Sequence, residues 1–326
     1  MVESKMKRVM IVDSLNQFIR SYIVDPSLST NGQPIGGTKG FLKILQKLCR
    51  DINPDAVVIC WDGRGGSRKR RSLVKEYKSG RKAIRLNRET DMTEDEELQN
   101  KIWQQSRLIE YLNELPVIQF MFDEVEADDV IGYVSKMPQF DGWQKVIVSS
   151  DKDFIQLCDG ETVLFRPVQK EVLNKNNIIE KFGIHPNNFA LARALVGDKS
   201  DNLEGVRGVG LPTVKKRFPF LSEEKSYTIQ ELIEFCDNVD SKLKTYKSIL
   251  ENEDLVALNY KLMQLYSPIL SVQSKSKVDF TIDNFEFEFN KTEMIKMMHE
   301  DGFGSYNWDE LFAKMKKISI DGLRGE

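Results

Sequence analysis

Three short runs of branched apolar residues each end on an aspartate: Val9 to Asp13, Val57 to Asp62 and Val146 to Asp151. Runs of this kind read as buried strands, and the stretches between them carry helical periodicity. A first strand over Lys7–Val12 leads into a helix around Leu15–Ile23, a loop from Asp25 to Gly37 and a helix over Thr38–Arg50. Ala56–Cys60 is a second strand, Val117–Phe122 an edge strand and Lys145–Ser149 a third, with helices predicted at Leu98–Leu115, Asp128–Ser135 and Asn187–Val196. Alternation of this sort predicts an α/β fold whose mostly parallel central sheet is flanked by helices. A mainly helical, charged region runs from there to the C-terminus.

The acids matter because ligands bind outside the carboxyl ends of strands in open parallel sheets, so Asp13, Asp62 and Asp151 should converge. Glu126, Asp128 and Asp129 open a predicted helix, Asp153 follows Asp151, and Asp198 and Asp201 stand in Gly-Asp-Lys-Ser-Asp-Asn. Taken singly, these residues have plainer readings as helix-start acids or loop caps. Gathered together, they would repel one another and hold their protons unless cations neutralised them. The chain has only His185 and His299, and Cys49, Cys60, Cys158 and Cys236 form no CxxC pair, so neither a zinc site nor a disulfide framework is indicated. Hard oxygen ligands favour Mg²⁺ or Mn²⁺. Two such ions can activate water and clamp a phosphate without a histidine base.

A net charge of −3 hides strong segregation. From Arg64 to Arg88 the basic residues are Arg64, Arg68, Lys69, Arg70, Arg71, Lys75, Lys78, Arg81, Lys82, Arg85 and Arg88, against the single acid Glu76. An acidic run from Glu89 to Glu97 follows. The plain reading is a solvated loop, but its position after Asp62 favours contact with phosphates through charge. Tyr22 and Tyr77 are candidates for stacking on unpaired bases, whereas Phe18 reads as core. Gly205, Val206, Arg207, Gly208, Val209 and Gly210 do not fit a dinucleotide fingerprint. A tight turn there, feeding a helix from Pro212 through Thr213, Lys215, Lys216 and Arg217, would offer amides and cations to a duplex backbone. Trp308, Leu311 and Phe312 read as core rather than as a docking motif.

Three segments together resemble the 5′-nuclease superfamily of 5′→3′ exonucleases and flap endonucleases, including polymerase I N-terminal domains and phage RNase H enzymes. They are Glu126 to Gly132, Ser149 to Leu157, and Ala194 to Gly210. The resemblance spans about residues 7–218 and implies a PIN-like core. It implies that Asp13, Asp62, Glu126 and Asp128 hold a first metal, with Asp129, Asp151, Asp153 and Asp201 around a second and Asp198 in support. Tyr77 to Arg81 resembles the family's Tyr-Lys-x-Gly-Arg element, implying that Lys78 and Arg81 lie near the scissile phosphate, with Arg70 at another frequent arginine position. It further implies a helical arch over about residues 64–108 and a helix–hairpin–helix at Gly205 to Gly210, with a K⁺ ion as a candidate ligand. Pro212 stands where the family often has a lysine, and beyond Phe220 the resemblance fades.

The domain boundary is expected at 185, with a nuclease core over 1–185 and a helix–hairpin–helix region and C-terminal part over 186–326. The expected enzyme is a free-standing, monomeric, cytoplasmic 5′-nuclease of phage or bacterial type, without a membrane span or secretory leader. It would act on DNA with a 5′ flap, nick or free end, and an RNA–DNA hybrid is a candidate substrate. A clamp or single-strand-binding protein is a candidate recruiting partner. The alternatives are a PIN-type ribonuclease, which is normally shorter and lacks the glycine hairpin, and a non-catalytic DNA-binding protein, which would gain from losing the acids.

Overall fold

The computed structural model describes residues 6–81, 83–239, 243–287, 289–321 and 323. A six-stranded sheet consists of β1 (Arg8–Asp13), β2 (Ala56–Trp61), β3 (Ile118–Met121), β4 (Gln144–Val148), β5 (Thr162–Arg166) and β6 (Glu171–Leu173), in the order β3-β2-β1-β4-β5-β6. The first five are parallel, and β6 turns back antiparallel to β5. The expected strands are present, and the run at Val117–Phe122 is an edge strand, β3. β5 and β6 are additions. Only alternate residues of β5 are fully buried, and β6 is three residues long, too short to register as a periodic run.

Before β3 come α1 (Ser14–Val24), α2 (Gly36–Ile52), the short α3 (Arg68–Leu73) and α4 (Glu94–Asn113). Next come α5 (Ala127–Val134), α6 (Lys175–Phe182), α7 (Phe189–Val196) and α8 (Leu211–Arg217). The chain continues through α9 (Ile229–Asn238), α10 (Lys244–Leu250), α11 (Glu253–Met263), α12 (Val272–Asp283), α13 (Lys291–Glu300) and α14 (Asp309–Asp321).

Side chains alternate across the sheet as strand geometry requires. Val9 and Ile11 enter a core shared with α5, α7, α9 and α11, while Met10 and Val12 enter a second core shared with α1, α2, α4 and α14. The C-terminal helices therefore divide between the two faces. Trp308, Leu311 and Phe312 are buried beside Leu45 and Leu48 of α2, matching the core reading. All four cysteines are buried and unpaired. Among the described residues no helix is long and apolar enough to cross a membrane.

Register places the site. Asp13 pairs with Cys60, two residues before Asp62, and Val12 pairs with Val148, directly before Ser149. Strand order reverses between β1 and β4, so a crevice opens where the ends of β1, β2 and β4 meet.

Candidate metal centre and nucleic-acid interface

Asp13 ends β1 and caps α1, accepting from Asn16 N at 3.4 Å. Ser149 Oγ, at the end of β4, donates to Asp13 Oδ2 at 2.8 Å and so ties the two strand ends together. Asp62 accepts from Ala127 N at 2.9 Å, which draws the first turn of α5 over the end of β2. Glu126 and Asp128 are carried there with it. Burial, reinforced by the nearby charges of Asp62 and Asp151 and opposed by the Ser149 hydroxyl, pushes Asp13 up to about 7. Asp128 is raised well above its ordinary value by burial, against the pull of Lys78 and with Asp151, Asp13 and Glu126 adding repulsion.

A second acid group adjoins the first through Asp151. Asp153 N donates to Asp151 Oδ1 at 2.8 Å. Burial and the Asp151 charge push Asp153 up to about 7 despite Arg193, and burial likewise raises Asp151. Asp198 differs: burial is outweighed by Ser200 and Arg193, which hold it below the usual carboxylate range. Arg193, on α7, went unrecognised in the sequence reading. Its Nε donates to Asp153 Oδ1 at 2.9 Å, its Nη1 to Gly197 O at 3.1 Å, and its Nη2 to Asp198 Oδ2. The available signal was a lone charge in the otherwise apolar Phe189–Val196. Directly after it, Gly197 (φ 75°) lies against Gly205, where a side-chain carbon would fall 2.0 Å from Val196 O. No side chain fits there.

Cations from the segment between β2 and α4 close over the acids. Lys78 Nζ lies 2.7 Å from Glu126 Oε1 and 3.9 Å from Asp201 Oδ2. Burial alone would lower Lys78, but Glu126, Asp128 and Asp201 outweigh it and raise its pKa. Arg81 pairs with Asp201. Arg70 is buried and sits 2.7 Å from both Glu126 Oε2 and Asp129 Oδ2, while Asp129 Oδ1 also accepts from Ile269 N at 2.8 Å. The structure thus commits Asp129, on α5, to a buried ion pair with Arg70 of α3, closed off by the chain after α11. Among the described residues no three carboxylate, imidazole or thiol groups are drawn close enough to grip an ion as they stand. Unpaired like charges keep apart, and Lys78 stands between Glu126 and Asp201.

Other features of this segment correct the sequence reading. Of the expected arch over about residues 64–108, the described residues are α-helical at Arg68–Leu73 and from Glu94 onward in α4, with turns and extended chain between. Arg64 and Arg68 pair with Asp123 and Glu124, and Arg85 pairs with Glu94 and Glu97. Charge pairing within the fold takes up cations that the sequence offered to phosphate. Lys69 and Lys75 are exposed, and Lys82 lies outside the described residues.

Neither candidate stacking residue has a free ring. Tyr22 is fully buried and donates to Glu97 O at 2.9 Å, and Tyr77 donates to Asp201 Oδ2 at 3.0 Å beneath Lys78. In the glycine-rich turn Val206 and Val209 are buried, while Arg207, Gly208, Lys215 and Lys216 are exposed and Gly210 and Thr213 are half-buried. Two amides expected to face phosphate are already used, Val206 N by Leu195 O at 2.8 Å and Val209 N by Val206 O at 3.0 Å. Arg207 and Gly208 form the outward tip.

A family profile described as the 5′-3′ exonuclease N-terminal resolvase-like domain matches residues 8–183. The chain is 28% identical over 281 residues to a 5′-3′ exonuclease of Aquifex aeolicus, covering 80% of this chain and 92% of that protein. It is 33% identical over 215 residues to a 5′-3′ exonuclease of Buchnera aphidicola, covering 64% and 69%. It also resembles DNA polymerase I of Bacillus subtilis, at 25% identity over 305 residues, but spans only 32% of that protein's length against 92% of its own. Among solved structures, the bacteriophage T5 D15 protein co-crystallised with metal ions aligns over 96% of this chain and all of that one, with a TM-score of 0.63 and 18% identity. Human GEN1 in complex with Holliday junction DNA aligns over 93% and 75%, with a TM-score of 0.52 and 15% identity. These two likenesses establish a shared fold.

Proposed function

Because the chain belongs to the 5′-3′ exonuclease family, we propose that it hydrolyses phosphodiester bonds of DNA near a free 5′ end, a nick or a flap junction, leaving a 5′-phosphate. Removal of replication or repair primers suits this activity, with RNA–DNA hybrids as further substrates. The observation that carries the reading is the pair of acid groups at the ends of β1, β2 and β4. Four of their members, Asp13, Asp128, Asp151 and Asp153, have pKa values raised by burial and mutual repulsion.

Hard oxygen donors carrying unbalanced negative charge fit a divalent ion such as Mg²⁺ or Mn²⁺. Asp13, Asp62, Glu126 and Asp128 would hold one ion, and Asp151, Asp153 and Asp201 a second. Bound there, the ions would supply Lewis-acid activation of water and of the scissile phosphate. The chain's own contribution is charge and shape. Lys78 and Arg81 reach the same acids, so on entry of a strand their charges pass to the phosphate and stabilise the negative charge that develops there. Exposed Arg207, Lys215 and Lys216 would hold the duplex by its backbone, giving register without base readout.

The test is a panel of 5′-flapped, nicked, blunt and circular DNA and RNA–DNA hybrid substrates, each with Mg²⁺ or with EDTA. We predict Mg²⁺-dependent products from 5′ ends or flap junctions and loss of cutting by Asp13→Asn. Cutting in EDTA, or a fully active Asp13→Asn protein, would remove the acids from the chemistry.

A further inference from the structure

We propose that Arg193 is a positioning residue for the second acid group, holding Asp153 and Asp198 in the arrangement that takes up the second divalent cation. The inference rests on the two-cation reading above and adds a residue that touches neither substrate nor ion. Arg193 is nearly buried, with 11% of its side chain exposed, and its three donors meet three acceptors on two loops: Asp153, Gly197 O and Asp198.

The two acids use their oxygens differently. Asp198 is saturated, with Oδ1 accepting from both Ser200 N and Ser200 Oγ at 2.7 Å and Oδ2 accepting from Arg193. That makes it a strut. Asp153 gives only Oδ1 to Arg193, and among the described residues nothing donates a hydrogen bond to its Oδ2, which is left for an ion. The strut also governs Asp201, because Asp198 and Leu203 exchange backbone hydrogen bonds at 2.9 and 2.8 Å and so close the loop that carries it. Without Arg193, Asp153 is free to rotate and the loop from 198 to 203 loses its anchor.

Simple electrostatics predicts the opposite sign. Removing a cation beside four acids should strengthen the uptake of another cation, whereas loss of positioning should weaken it. Lysine cannot replace the fork, because an ammonium is a point charge without two diverging planar donors.

The experiment is isothermal titration of the full chain with Mn²⁺ alone, for wild type, Arg193→Met, Arg193→Lys and Asp198→Asn, with thermal melting as the check on folding. We expect two ions on wild type. On Arg193→Met the first is retained and the second weakened by roughly 10- to 100-fold, the usual cost of removing a residue that orients a ligand. Arg193→Lys should recover only part of the loss. Equal or tighter second-site binding in an Arg193→Met protein that melts like wild type overturns the proposal. Should that variant unfold, Asp198→Asn decides: weakened second-site uptake supports the strut, and unchanged uptake overturns it. A wild type that binds no Mn²⁺ overturns the two-cation reading itself, a result distinct from unchanged uptake in the variants.

Discussion

Asp128 and Asp129 are neighbours in sequence at the start of α5, yet they lie in opposite electrostatic settings. Asp129 is buried against Arg70 and receives Ile269 N, so its charge is matched and its oxygens are engaged. Asp128 faces Asp13, Asp151 and Glu126, with Lys78 the nearest opposing charge, and its pKa is driven well up. The same contrast separates Asp198, both of whose oxygens are taken up by Arg193 and Ser200, from Asp153, which shares only Oδ1 with Arg193 and is pushed up by burial and Asp151. Within each of these two pairs, the acid with both oxygens engaged is fitted to support the fold, and the other is the one we propose for a metal.

The largest effect should come from removing an unmatched acid. Asp128→Asn should lower turnover by roughly two to three orders of magnitude, the cost of losing several kcal/mol of Lewis-acid stabilisation, while leaving the melting temperature unchanged or higher. Asp129→Asn should break the buried pair and destabilise the fold by on the order of 3 kcal/mol, since it leaves part of the Arg70 charge unmatched. Thermal melting would show it, and a protein as stable as wild type would erase the contrast. Lys78→Ala should slow cleavage by roughly a hundredfold and tighten divalent-ion binding, because the competing ammonium is gone. Weaker binding would contradict that competition.

The pH dependence sharpens the comparison further. Asp13 and Asp153 stand near 7 in the fold against an ordinary 3.8. Because their folded values are raised, their stabilising contribution is full below about pH 4 and is lost as the pH rises through about 7. A divalent cation competes with those protons, so Mg²⁺ should lift the melting temperature by a few degrees at about pH 8 and by very little at about pH 5. Equal lifts at both would show that these acids are not the ones holding the ion. The smallest effect is expected for Tyr22→Phe, which removes one hydrogen bond to Glu97 O at a cost of about 1 kcal/mol. DNA affinity should stay constant, whereas a fall would revive base stacking by this ring.

That Asp13, Asp62, Asp128 and Asp151 would come near one another was legible in the sequence, because strand periodicity and the switch-point rule depend only on local pattern and topology. Asp129 was expected with them and turns to Arg70 instead. How each acid would be compensated was not legible. Arg70, read as a residue near the reacting phosphate, is buried between Glu126 and Asp129, and Arg193 was missed because its partners lie 40 and 5 positions away in sequence. Tyr22 looked available because its helix opens at Asp13, but the 3.6-residue period turns it inward beneath α4. The basic run looked uniform as text, whereas acids from the turn after β3 and from α4 absorb Arg64, Arg68 and Arg85. β5 and β6 were invisible for a simpler reason: partial exposure and brevity erase the pattern on which strand recognition depends.

We expect Asp128 and Asp153, rather than their engaged counterparts Asp129 and Asp198, to carry metal-dependent cleavage. The most direct test is the single-turnover rate of Asp128→Asn on a 5′-flapped duplex at saturating Mg²⁺, compared with wild type at equal folded fraction. We expect a fall of roughly a hundredfold or more in a protein that melts no lower than wild type. A wild-type rate from that variant would contradict it.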